Sequence, residues 1–415
     1  MKLFSNRWTQ LFFCVCVFVL ISGPQYLWAL FVPHLLTKFQ IPLSELQITF
    51  FLVIVCMTFI TPVAGYFHDR FKTRNIIFLG LLMCTGSWIA ASAAESISML
   101  YISYGVIGGL GAGIAFIGCV GLIQKYFPDR RGFATGVLMS GYALGPMLTT
   151  PFVAKSVAAV GVESTLSYFG GLFVVLSFLV ILGLRDPKDV VSPQTENKKP
   201  LTGIAPKEML QTPVFWLMFV MMMMIASCGM MIISNIAVIA KESGIGSNIL
   251  LFGMAALPLA LMLDRFTNGL SRIVFGHISD RIGRENTLAI AFTLEGLFMF
   301  LWFHQLHNPI MFIILSGFVF LAWGEIFSIF PALCTDIFGE KNASINFGFL
   351  YASVGVGSFL GGPVAAYIRE RSGSWTPVFY IIIALDLITA VLAFTALKKM
   401  RGVEGEKKYV LRMGH

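Results

Sequence analysis

The sequence predicts an all-α membrane protein, with twelve transmembrane helices in two pseudo-symmetric six-helix bundles. Three observations carry that expectation. Of the 415 residues, 57% are hydrophobic and only 12% charged, where a soluble domain carries about 25% charged residues, so the chain lacks the polar surface to face water all round. The apolar residues fall into runs of about 20, the length a helix needs to cross hydrocarbon. One loop sequence also recurs, once in each half of the chain.

The runs lie near 8–32, 45–67, 75–94, 97–124, 132–155, 164–184, 213–240, 247–275, 286–304, 308–335, 344–368 and 375–397. They are too long and too uniformly apolar for barrel strands, which alternate over about ten residues. The first begins like a secretory signal, with Lys2 and Arg7 ahead of LFFCVCVFVL. No A-x-A-like site follows and apolar residues continue through Gln25–Leu30, so it reads as an uncleaved span. The polar stretch Arg185–Thr212, rich in Pro and Lys, reads as a flexible linker between the sixth and seventh spans. The expected units are therefore residues 1–184, a linker 185–212, residues 213–398 and a tail 399–415.

With the N-terminus inside, about 22 Lys and Arg fall in inner loops against about 5 outside, which places both termini in the cytoplasm. The net charge of +8 is mostly this bias, so anionic lipid headgroups are the expected partner and nucleic acid is not. The seven cysteines show neither a disulfide framework nor a zinc pattern and read as packing residues. No metal or cofactor is expected, and GGLGAGIAF at Gly108–Phe116 lacks the strand that a dinucleotide fingerprint requires. No nucleophile–base pair or phosphate loop suggests an enzyme.

The recurring loop is GYFHDRFKTRN from Gly65 and GHISDRIGREN from Gly276. Both read G-x-x-x-D-R, with Lys72 in the first copy where the second has Gly283. Duplicated halves with matched loops suit an alternating-access carrier, which rocks two bundles about a site near the midplane. These loops, the linker and the twelve spans resemble the major facilitator superfamily over essentially the whole chain. That resemblance implies that Gly65, Asp69 and Arg70, with Gly276, Asp280 and Arg281, form gating loops that tie helix ends to the neighbouring half. ISGPQYLWAL at Ile21–Leu30, KEMLQTPVFWLMF at Lys207–Phe219, NGLSRIVFGHISDRIGR at Asn268–Arg284 and WGEIFSIFPALCTDIFG at Trp323–Gly339 are similar to the oxalate/formate antiporter family. That family is itself similar to the monocarboxylate transporters.

The eighth span carries the charges. Asp264, Asn268 and Arg272 rise along one face, and Arg265 and Arg272, seven residues apart, nearly eclipse. An Arg at the bilayer centre costs about 2.5–3.5 kcal/mol on insertion scales, so the stripe turns toward a cavity, a partner or an interface. From the residues alone Arg272 either holds a carboxylate in a bidentate fork, pairs with Asp264 or Glu325, or snorkels to the cytoplasmic end. The resemblance implies the first. Arg265 pairs with Asp264 or adds a second positive contact. Glu325, a carboxyl in the tenth span, is a proton carrier or a counter-ion to Arg272, and Asp264 is a second candidate for the proton.

The expected substrate contacts are Arg272 and Asn268 with Gln25, Tyr26, Phe116, Trp323, Phe327 and Tyr351. The resemblance also marks departures. Val354 stands where oxalate-binding members have a Lys, and Phe116 and Phe327 stand where they have Tyr. With one cation and hydroxyls lost, oxalate is poorly matched and a monocarboxylate with an apolar tail fits better. The expectation is a monomeric secondary transporter of a small organic anion in a bacterial cytoplasmic membrane, coupled to a counter-anion or to protons. The alternatives are drug or metabolite efflux on the same fold and a non-transporting membrane sensor or scaffold.

Overall fold

The computed structural model describes residues 6–64, 71–127, 131–186, 203–245, 250–251, 253–339 and 342–400. They are almost wholly helical. We number the long helices α1 (Arg7–Phe39), α2 (Leu43–Ala64), α3 (Thr73–Ser92), α4 (Ile97–Tyr126), α5 (131–160), α6 (162–183), α7 (Pro213–Glu242), α8 (Ala256–Ile282), α9 (Arg284–His304), α10 (Pro309–Phe338), α11 (Ile345–Ser372) and α12 (Thr376–Met400).

Among the described residues, ten helical segments are long and apolar enough to cross a membrane. One of the ten, Ala134–Gly183, takes in both α5 and α6, whose helical run breaks at Gly161 with φ 80. The charged α8, 27 residues long, is not among the ten. Leu148, Phe152, Tyr168 and Ile273 stand about two-thirds exposed on the outer surface. The inside, by contrast, holds Arg265, Glu295, Glu325 and Asp386 at 1% exposure or less. Apolar outside with charge inside is an arrangement for hydrocarbon, not water.

Helix starts follow local chemistry. Asn308 accepts from the amides of Ile310 and Met311 ahead of Pro309, and Thr212 accepts from the Phe215 amide ahead of Pro213. Pro363 sits in a wider π-type stretch, Leu360–Val364, which absorbs the ring without ending α11.

The packing repeats. α1 lies on α5 as α7 lies on α11, α3 on α4 and α6 as α9 on α10 and α12, and α2 on α4 as α8 on α10. The two sets of six meet through α5 on α8 and α2 on α11, a pairing that itself obeys the two-fold.

Two expectations change. The eighth span does not begin at 247: Leu250–Leu251 pairs antiparallel with Met254–Ala255, and the helix starts at Ala256. Gly253, with φ 77, turns this short ladder, and Pro258 sits in the first helical turn. The linker is not free over its whole length. The Ile204 amide donates to the Phe338 carbonyl at 3.0 Å, and the side-chain amides of Asn342 and Asn346 donate to the Ile204 carbonyl at 3.0 and 3.4 Å, which fixes residues 203–205 to the junction of α10 and α11. Met221, Met222 and Met224 of α7 are buried in the core. The seven cysteines are free thiols, five of them buried.

Candidate functional site

The site lies between the two sets of six, on the face of α8 that looks inward. Arg272 is ten residues from the α8 C-terminus and Arg265 nine from its start, so by helix rise both stand about 14–15 Å from an end. Snorkelling to the near end is excluded by direction: Arg272 is 7% exposed, and its Nη1 donates to the Met139 carbonyl of α5 at 2.7 Å. Its Nη2 donates to Asn268 Oδ1 at 3.2 Å, and its Cζ stands 4.8 Å from the Phe327 ring centroid.

Arg265 is held between two rings, its Cζ 4.3 Å from the Tyr26 centroid and 4.5 Å from that of Phe320. The expected pair with Asp264 is not formed. Among the described residues no carboxylate stands within 4 Å of Arg265 or Arg272, since the ion pairs are Lys38–Glu163, Arg284–Asp280, Arg284–Asp336 and Arg369–Glu242. The reason is angular: consecutive residues on a helix point 100° apart, so Asp264 turns toward the α10 side, near Ser316, while Arg265 turns inward. Glu325 also fails to reach Arg272. It stands at the break in α10, beside the amides of Glu325 and Ile326, and neither oxygen makes a hydrogen bond.

This leaves polar atoms without partners on α8: Arg265 Nε and Nη1, Arg272 Nε, Asn268 Nδ2 and Ser271 Oγ, and, on the side turned toward α10, both Asp264 oxygens. Buried donors ordinarily find acceptors. Here the donors are clustered, those of the two guanidinium groups carry positive charge, and among the described residues no acid lies within 4 Å of either.

The wall opposite is aromatic. Phe116 of α4 stacks on Tyr351 of α11, centroids 5.8 Å apart and planes 6° apart, and Phe327 of α10 meets the Tyr351 ring edge-on at 6.3 Å. Phe18 stacks on Phe116 at 5.0 Å. Trp323 packs on Phe327 and donates its indole N–H to the Ile225 carbonyl at 2.9 Å, which ties α10 to α7. Gln25 joins this wall through Tyr142, whose ring meets Phe116 edge-on at 6.0 Å and whose hydroxyl donates to Gln25 Oε1 at 2.9 Å. Every expected contact residue thus enters one region. Sequence reasoning missed Tyr142, Phe320 and the Met139 carbonyl. GYALGP, which contains Tyr142, was legible only as a small-residue helix face.

α10 comes this close to α8 because residue 324 has no side chain: a Cβ there would fall 2.6 Å from the Asn268 carbonyl oxygen. Two open surface grooves, one along Arg74, Phe78, Phe178 and Leu182 and one along Asn286, Thr293, Phe394 and Lys398, do not reach this interior.

Of the gating loops, Gly65, Asp69 and Arg70 lie outside the described residues. In the second copy Gly276 is within α8, Arg281 is exposed, and Asp280 pairs with Arg284 at 2.6 Å, while Arg284 also reaches Asp336 at 3.4 Å. Both of these ties join residues of the last six helices. At the helix ends farther from the N-terminus the halves are joined. The Ser44 amide and hydroxyl donate to the Glu370 carboxylate at 2.8 and 2.7 Å, and Gln47 Nε2 donates to the Ser234 carbonyl at 2.7 Å while its Oε1 accepts from Trp28 at 2.9 Å.

The family model described as Major Facilitator Superfamily matches residues 12–267 and 265–410. The chain is 28% identical over 403 residues to a protein of Oxalobacter formigenes named oxalate:formate antiporter, covering 96% of this chain and 93% of that one. It is 23% identical over 385 residues to monocarboxylate transporter 12 of Rattus norvegicus, covering 84% of this chain and 76% of the relative.

Proposed function

The chain belongs to the major facilitator superfamily, a multi-pass membrane transporter and not an enzyme, and on that premise we propose that it carries a small organic anion, a monocarboxylate, by alternating access. In this reading the chain crosses the bilayer twelve times, counting α5 and α6 separately and including α8. Residues 1–184 and 213–398 form the two rocking bundles, 185–212 the linker and 399–415 a tail. The membrane is the cytoplasmic one, with both termini in the cytoplasm, and the working form is a monomer.

One observation carries the substrate class: two guanidinium groups on one helix wall with unpartnered N–H groups and, among the described residues, no acid within 4 Å. A visiting carboxylate supplies the missing acceptor, with Arg272 as anchor and Asn268 beside it. Arg265 adds a second positive contact, which revises the one-cation count but not the preference for a monocarboxylate. Both cations stand on α8, and the facing wall of Phe116, Phe327, Tyr351 and Val354 is apolar or aromatic, suited to a tail and not to a second carboxylate. Gln25, Tyr26 and Trp323 complete the lining. The names of the two relatives, an oxalate:formate antiporter and a monocarboxylate transporter, agree with a small-anion cargo. Coupling runs through a counter-anion or a proton on Glu325 or Asp264.

Counterflow in proteoliposomes tests this, with formate, lactate, pyruvate, oxalate, malate and amphipathic cationic drugs at two pH values. A monocarboxylate is expected to exchange with saturation. Exchange of cationic drugs without any carboxylate would replace this reading with efflux, and no exchange of any solute would favour a sensor or scaffold.

A further inference from the structure

A second polar cluster lies away from the arginines, inside the last six helices. Cys228 of α7, Glu295 of α9 and Asp386 of α12 are each 0% exposed, and their ligand atoms all lie within 4.8 Å of one another. A separate observation marks the cluster as incomplete: none of the four carboxyl oxygens of Glu295 and Asp386 has a hydrogen-bond partner. The Cys228 thiol donates to the Met224 carbonyl at 3.2 Å, with the Ile382 carbonyl at 3.8 Å. From the helices packed around them, the titratable groups that face the pair are Cys228 and the Glu325 carboxyl of α10, which acts on both acids electrostatically. Among the described residues no Lys, Arg or His faces the pair. α9 and α12 approach closely here, for a Cβ at position 296 would stand 3.4 Å from that of Asp386.

Two carboxylates this near one another, without solvent or a cation, repel and are both undersolvated. A proton removes both difficulties, since it neutralises one acid and supplies a donor to the other. We propose that Glu295 and Asp386 form a proton-binding site in the C-terminal half, distinct from the anion site at Arg272, with the Cys228 thiol as its third polar wall. On protonation a hydronium ion gives its proton to one carboxylate oxygen, and the O–H so formed turns to the other carboxylate. Glu325, at the α10 break, connects the site to the helix that carries Trp323 and Phe327. The second half of the proposal, that this proton is the one coupled to transport in place of one held on Glu325 or Asp264, rests on the anion reading above.

The site itself is tested without substrate. Infrared difference spectra of the purified full chain at neutral pH, wild type minus Glu295→Gln/Asp386→Asn, are expected to show loss of a protonated carboxylic C=O band. Cys228→Ala is expected to keep that band at a shifted frequency. Loss of carboxylate bands alone would overturn the proposal, as would stoichiometric zinc or cadmium bound to the wild type through the thiolate and absent from Cys228→Ala. In proteoliposomes, accumulation driven by a pH gradient is expected to fall at least tenfold in Glu295→Gln and Asp386→Asn, with counterflow within twofold of wild type. Undiminished pH-driven accumulation would remove the coupling role. A wild type without counterflow would overturn the anion reading while the infrared result stands.

Discussion

Arg272 is the residue on which the substrate reading turns, and its geometry sets what each replacement should do. A bidentate fork and a point charge differ in how they hold a planar carboxylate. Arg272→Lys keeps the charge but loses the fork and the contact to Asn268, and saturable uptake is expected to fall about 10- to 100-fold, corresponding to about 1.4–3 kcal/mol for a charged hydrogen bond. Arg272→Ala should abolish it with the protein still in the membrane. Uptake kinetics alongside quantified membrane protein check both, and unchanged kinetics in Arg272→Ala would remove the anchor role. The spacing of Arg265 and Arg272 made their shared direction legible in the sequence, because helix periodicity alone fixes it. The fate of Asp264 was not legible. Adjacency in sequence suggested a pair, yet neighbouring residues on a helix diverge, and only the packed rings of Tyr26 and Phe320 show what holds Arg265 instead. Partners from distant helices, such as the Met139 carbonyl, leave no local mark in the chain.

At the scale of elements, the break in α10 matters most. The helix runs to Trp323, pauses at Gly324 and Glu325, and resumes at Ile326. A side chain at 324 would meet α8 beside Asn268, and overpacking of this kind costs about 1–3 kcal/mol. Gly324→Val is therefore expected to lower thermal stability and to reduce uptake at least tenfold by separating α8 from α10. A scintillation proximity or thermal-shift measurement with the leading substrate separates loss of binding from loss of fold. Element boundaries were less legible than element existence. Hydropathy sums over an apolar run and passes through the Leu250–Ala255 turn, whereas backbone geometry does not. The two loop copies show the same limit. Gly283 takes φ 90 at the end of α8, a conformation open to glycine, while Lys72 at the matching position has φ −62. A shared G-x-x-x-D-R pattern thus accompanies two different turns.

For the whole molecule, the two-fold repeat was readable from the duplicated loop, and the packing of α1–α6 recurs in α7–α12. What the sequence could not supply is the state of the carrier. The contacts of Ser44 with Glu370 and of Gln47 with Ser234 and Trp28 close the end away from the N-terminus. Glu370→Gln weakens a charge-assisted contact at a partly exposed position, for which about 1 kcal/mol is a fair measure, and should shift the population about fivefold toward separation at that end. Double electron–electron resonance between labels at Glu45 and Arg371 is expected to show a larger long-distance fraction in this variant than in wild type. Identical distance distributions would assign the closure to helix packing alone.

The hydrogen bond from Arg272 to the backbone of α5 has a kinetic corollary. On the proposed reading, the group that greets the cargo is already spent in part on stitching the seam, so an arriving carboxylate competes with the stitch and loosens it, and a departing one lets it re-form. An empty carrier would then reorient more slowly than a laden one. Release of labelled solute from preloaded vesicles should quicken several-fold when unlabelled solute is added on the far side, and equal rates with and without it would show that the seam opens unaided.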